Sequence, residues 1–149
     1  MAAMNERERR FFRLLIIEDD TERERVLRSW LPPDAKIVVA GSAGRAIGVI
    51  ERDRGRVYAG ILLDHDLQGR IATVTDHYLD GKDIVTVIVK YISKDVPILV
   101  HSMNGSQAPR MVERLEKDGF SVTRIPMANL TKERLREWAA DARAIWEDQ

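Results

Sequence analysis

Five short apolar runs, each followed by a stretch of helical periodicity, succeed one another along this chain, and no other feature restricts its fold as much. The first run, residues 14–17 (LLII), is too short for a helix and suits a strand buried on both faces. Thr21 and Glu24 form a T-x-x-E capping signature that opens a helix carrying Val26, Leu27 and Trp30, and Pro32-Pro33 stops it. Residues 36–40 (KIVVA) are the second strand. Gly41-Ser42 turns the chain into a helix over 43–52, with Ala46, Ile47, Val49 and Ile50 at helical spacing. The third strand is 61–63 (ILL), and the stretch 71–78 that follows carries no readable period. Asp80-Gly81 marks a turn before a helix over 84–92, rich in β-branched residues of poor propensity but fixed by its length and its place between two strands. Residues 97–100 are the fourth strand, and a helix over 109–117 ends at Gly119, the position favoured for a left-handed cap. Residues 122–125 are the fifth strand. Thr131 caps a last helix on which Leu135, Trp138, Ala142 and Ile145 recur, with Leu130 and Leu135 placed as a hydrophobic staple.

A β-α unit repeated five times with right-handed crossovers implies an α/β fold, a five-stranded parallel sheet with helices on both faces. The length of 149 residues suits one domain, with no internal repeat, low-complexity tract or linker. The 24 basic and 24 acidic side chains cancel, which argues against bulk nucleic-acid binding and against electrostatic attachment to a membrane. With no cysteine, disulfides, thiolate zinc sites and thiol nucleophiles are all excluded. The apolar stretch at 11–17 is broken by Arg13 and runs into Glu18-Asp19-Asp20, unlike a secretory segment, and no window approaches a membrane span. A soluble, cytoplasmic protein is expected. The sign-alternating stretches Glu22-Arg23-Glu24-Arg25 and Lys132-Glu133-Arg134 read as solvated helix faces.

In an open parallel sheet, sites form at the carboxyl ends of the strands. The first strand ends in Glu18-Asp19-Asp20, the third in Asp64-His65-Asp66 and the fourth in His101-Ser102-Met103-Asn104. Acids gathered with no basic residue beside them repel one another unless a cation sits among them. Their hard oxygens suit Mg or Mn, so Glu18, Asp19 and Asp64 are the expected metal ligands. Asp20 reads as a helix N-cap or a solvated loop carboxylate, Asn104-Gly105 also reads as a turn, and His77 reads as a surface residue.

These residues resemble the receiver domain of bacterial response regulators over nearly the whole chain. The resemblance rests on LLIIEDD, ILLDHDL, Asp80-Gly81 before a helix, VPILVHS, and Pro126 after the fifth strand. It implies a flavodoxin-like (βα)5 domain over 1–149, strand order 2-1-3-4-5, with residues 1–11 as an N-terminal extension. It further implies a metal-holding pair at Glu18 and Asp19 and a phosphoacceptor at Asp64. Asp66 matches the position whose backbone carbonyl helps hold the metal, and Ser102 the hydroxyl residue that answers the phosphoryl group. The family's lysine before the fifth-strand proline is Ile125 here. Arg124 is adjacent, but strand alternation aims it elsewhere. The segment 65–79 is longer than the usual receiver loop. D-H-D at 64–66 and H-S-x-N at 101–104 resemble an atypical branch, the cyclic-phosphate-processing receivers.

That branch implies a metal-dependent phosphoesterase acting on a small phosphate ester. His65 or His101 would move a proton, Asp66 would assist, and Ser102 and Asn104 would donate hydrogen bonds to phosphoryl oxygens. His101 also reads as a histidine half-buried within the strand. The alternative function is a signalling module, either a phosphoacceptor at Asp64 or a pseudo-receiver that binds a protein partner, and a homodimer is compatible with either. A Toprim-like phosphodiester site on Glu18, Asp64 and Asp66 fits less well. A dinucleotide site fits least, because no G-x-G-x-x-G follows the first strand.

Overall fold

The computed structural model describes residues 11–67 and 80–148. The stretch 71–78, His77, most of the 65–79 loop and residues 1–10 of the expected extension lie outside them. Five strands, β1 (Arg13–Ile17), β2 (Lys36–Ala40), β3 (Gly60–Leu63), β4 (Ile98–Val100) and β5 (Val122–Arg124), form one parallel sheet in the order β2-β1-β3-β4-β5. The intervening helices are α1 (Thr21–Trp30), α2 (Ala43–Arg52), α3 (Gly81–Tyr91), α4 (Gln107–Lys117) and α5 (Lys132–Glu147). A single 3-10 turn, Met127–Asn129, precedes α5.

The short apolar runs are explained by burial on both sides. In β1, Leu15 and Ile17 pack with residues of α2, α3 and α4, while Leu14 and Ile16 pack with Leu27 of α1 and with Leu135, Trp138 and Ala142 of α5. In β3 and β4 the same division holds: Ile61, Leu63, Ile98 and Val100 face one layer, and Leu62 and Leu99 the other. A strand buried twice has no polar alternation to display, which is why LLII and ILL read as unbroken apolar runs.

Helix termini largely follow the sequence. Ser42 and Thr131 accept from the backbone N–H groups of Arg45 and Arg134, as N-caps do. Asp80 and Asp83 form a reciprocal capping box at α3. Leu130 and Leu135 are both buried against α5. Gly119 sits at φ +98, and the Phe120 N–H closes back on the Leu115 carbonyl at 3.0 Å, a left-handed helix cap with its apolar contact. At α1 the sequence carries both a Thr21 capping signature and a capping reading of Asp20. The cap is Asp20, whose Oδ1 accepts from the Arg23 N–H at 2.9 Å, and the Thr21 reading is corrected, since Thr21 is already helical. Asp is at least as good a cap as Thr, and using it starts the helix one residue closer to β1.

Gly60 opens β3 where the sheet meets α5. A Cβ there would lie 2.7 Å from Trp138 Cη2 and 3.1 Å from Leu14 Cδ2. Neither neighbour has room to yield, because both belong to the same buried cluster. Gly60→Ala is therefore expected to cost about 1–3 kcal/mol by overpacking, read as a lower urea midpoint with an unchanged m-value. An unchanged midpoint would show that Trp138 can move freely.

Candidate functional site

The sheet register brings the strand ends together. Ile17 pairs with Leu63, and Leu63 with Val100, so the next residues, Glu18, Asp64 and His101, stand side by side across three neighbouring strands. The last ladder bonds pin their backbones: Glu18 N–H to Ala40 O at 3.2 Å, Asp64 N–H to Ile17 O at 3.0 Å and His101 N–H to Leu63 O at 3.1 Å. Side-chain alternation does the rest. Glu18, Asp64 and His101 share the parity of Ile16, Leu62 and Leu99, so all three fall on the side of the sheet covered by α1 and α5. All three are buried, and one ligand-type atom from each lies within 4.8 Å of the others.

Glu18 is the hub. His101 Nε2 lies 3.0 Å from its Oε1. Because an ionised carboxylate only accepts, Nε2 carries the proton in this contact. The guanidinium of Arg23, one turn into α1, donates from Nε to Oε1 at 2.9 Å and from Nη2 to Oε2 at 3.2 Å. The Asp20 N–H adds a bond to Oε2 at 3.2 Å. Burial alone would raise the Glu18 pKa, but the bonds from His101 and Arg23 outweigh it and hold the carboxyl well below the usual range. Asp64 is pushed the opposite way, up to about 6, first by burial and then by the charge of Glu18. Its Oδ1 accepts from the His65 N–H at 2.8 Å, while Oδ2 faces Arg23 Nη2 at 3.6 Å, beyond hydrogen-bond distance.

Arg23 is the residue that sequence reasoning missed, and its expected place on a solvated face is corrected. Its Nη2 also lies 3.7 Å from Asp19 Oδ1, an i,i+4 pair. That four-residue spacing was the signal available in the sequence. The acids are therefore not without a basic partner. Glu22 and Arg25, by contrast, pair with each other on the exposed side, as expected of a solvated face.

The other expected site residues are placed differently. His65 is buried, with Nδ1 3.1 Å from Asp66 Oδ1 and its ring against Gly81, where a Cβ would stand 2.7 Å from Cδ2. Its Nε2 and the Nδ1 of His101 are buried without hydrogen-bond partners among the described residues. The Asp66 side chain is exposed and accepts from Asn104 Nδ2 at 3.2 Å. Asn104 Oδ1 accepts from the Ser106 and Gln107 N–H groups at 3.2 and 2.8 Å, so Asn104 ties the first turn of α4. This is the turn reading of Asn104-Gly105, with one amide hydrogen left for Asp66. Ser102 is buried, and its Oγ accepts from the Asn104 N–H at 3.1 Å. Ile125, where receivers place lysine, is buried in the α1/α5 layer, and Arg124 is exposed.

Among the described residues, no helix is long and apolar enough to cross a membrane. No curated protein matches the chain in sequence. In fold, the chain is similar to the response regulator domain of CheB from Thermotoga maritima, at TM-score 0.62 and 17% identity over 93% of this chain and 98% of that one. The signal receiver domain of a LuxO repressor protein from Vibrio parahaemolyticus gives TM-score 0.64 and 22% identity, covering 93% and 95%. A response regulator receiver domain from Francisella gives 0.60 and 17%, covering 91% and 97%. The strand order β2-β1-β3-β4-β5 is thus shared architecture, and residues 13–117 match the family described as the cyclic-phosphate processing receiver domain. The chain belongs to that family.

Proposed function

We propose that this domain binds small phosphate esters, cyclic ones included, at a divalent-cation site on the carboxyl edge of the sheet, and hydrolyses them. The observation that carries this reading is Asp64. It is a buried carboxylate, raised in pKa by burial and by a neighbouring acid, and its Oδ2 stands 3.6 Å from Arg23 Nη2, beyond hydrogen-bond distance. A hard cation held by Asp64 and Asp19, with Glu18 as a third negative charge beside them, would relieve that repulsion, so the residues fit Mg or Mn. When bound, such an ion polarises a phosphoryl oxygen. The chain's own groups complete the site. The Ser102 hydroxyl and the Asn104 amide stand at the end of β4 to orient the ester. The His65–Asp66 pair leaves Nε2 of His65 as a proton acceptor when Nδ1–H donates to the carboxylate. His101 acts through Glu18, because its Nε2 is engaged there.

Storage of a phosphoryl group on Asp64, with a signalling protein as partner, is the second reading. The position of Asp64 just after β3, with the Ser102 hydroxyl two residues past the end of the neighbouring β4, favours it. The apolar Ile125 in place of lysine weighs against it.

A panel of cyclic and linear phosphate esters assayed with Mg and Mn separates the two readings. Hydrolysis is expected from the natural chain, with a loss of at least about a hundredfold in Asp64→Asn, the size of effect seen when one preorganised transition-state contact is removed. No turnover above the Asp64→Asn background, together with a stable beryllofluoride adduct, would overturn hydrolysis in favour of phosphoryl storage.

A further inference from the structure

The carboxylate of Glu18 is saturated. Its Oε1 takes Arg23 Nε and His101 Nε2, and its Oε2 takes Arg23 Nη2 and the Asp20 N–H. Four donors fill the roughly four lone-pair sites that a carboxylate offers, so Glu18 cannot coordinate a cation without releasing one of them. Its bonds are instead spent on fixing a guanidinium. The Nε–Nη2 edge of Arg23 is locked bidentate onto a wholly buried partner. The arginine side chain nevertheless remains 39% exposed, and Nη1 makes no hydrogen bond to any described residue. A planar fork is thus held rigid from below with its outer edge turned to solvent, beside Asp64 at 3.6 Å and Asp19 at 3.7 Å. Meanwhile the place before Pro126 is apolar and Arg124 is exposed at the edge strand.

We infer that Arg23 is the phosphate-binding residue of this site, with Nη1 taking a non-bridging oxygen of the ester while Glu18 and His101 act as its positioning residues. This rests on the phosphate-ester reading above. Arginine suits the task because it presents two parallel N–H groups to a phosphoryl edge and keeps its charge at any physiological pH. The acids at the rim fall to the cation, and the buried Glu18–His101 pair sets the angle of the fork. Removing the rigid anchor would leave the charge in place but lose the orientation.

Titration of the full chain with inorganic phosphate in the presence of Mn, followed calorimetrically, tests the assignment, with Mn affinity measured separately by electron paramagnetic resonance. Arg23→Gln is expected to weaken phosphate binding at least about tenfold, while Mn affinity stays level or rises because a competing cation is gone. Arg23→Lys should recover only part of the loss. Glu18→Gln should weaken phosphate binding, and the double variant should lose no more than Arg23→Gln alone, since the two residues act as one unit. Unchanged phosphate affinity in Arg23→Gln would overturn the assignment and leave the ester-binding reading standing. A parallel fall of Mn and phosphate affinity would also overturn it, marking Arg23 as a brace for the acids. If the natural chain with Mn binds no phosphate, both this assignment and the reading beneath it fail.

Discussion

His101→Ala is expected to lose about 1.5–3 kcal/mol of stability at neutral pH, the worth of a hydrogen bond to a buried charged group. His101 and Glu18 are both wholly enclosed, so no water replaces the imidazole at once, and the substitution opens a cavity as well as stripping a donor. The sign of the pH dependence follows from Glu18, whose folded pKa is depressed. Such a carboxylate contributes stability in full above its unfolded pKa of about 4.3 and loses it as pH falls through the folded value. The gap between the natural chain and His101→Ala should therefore be widest near neutrality and narrow below about pH 4. His101→Gln, which keeps a donor near the same place, should lose less. Urea denaturation across pH measures all three. A pH-independent gap would mean that only the cavity matters.

Asp64→Asn is expected to act in the opposite direction. With chelator present, the variant should be more stable than the natural chain by about 1–3 kcal/mol at pH 7–8. Asp64 titrates near 6 in the folded state because burial and Glu18 both disfavour its charge. A raised carboxylate costs stability once it ionises, so the natural chain gains on acidification through about pH 6 towards 4, and the difference from Asp64→Asn closes over that window. Addition of Mg or Mn should reverse the ranking, because a ligand that binds only the folded, ionised site stabilises the natural chain and not the variant. Thermal melts with and without metal read this directly. A variant that is less stable at pH 8 without metal would show that the Arg23–Asp64 attraction outweighs the burial cost.

These two substitutions also show what could be read in the sequence and what could not. The strand ends were legible because apolar runs on a doubly covered sheet announce their own boundaries, and the acids after LLII and ILL stand at those boundaries. The strand order came with the family resemblance, and the observed sheet agrees with it. Side-chain partnership was less legible. His101 read as a proton carrier or as a core residue, since only register and parity show that it meets Glu18. Arg23 sat in a stretch of alternating charge that fits a solvated face on composition alone. Only the folded strand end shows that this arginine, three residues past the Asp20 cap, reaches Glu18. Asn104 fits both of its readings, since one oxygen ties a helix turn and one nitrogen reaches Asp66.

That last arrangement carries a mechanical consequence. Asn104 is a rivet between two parts of the chain that have no backbone link nearby: the segment after β3, through Asp66, and the first turn of α4, through Ser106 and Gln107. A rotation of the amide that improves one attachment strains the other. Any occupant that draws Asp66 towards the strand ends therefore tugs on the start of α4, and the exposed surface of that helix can register an event at the sheet edge without touching it.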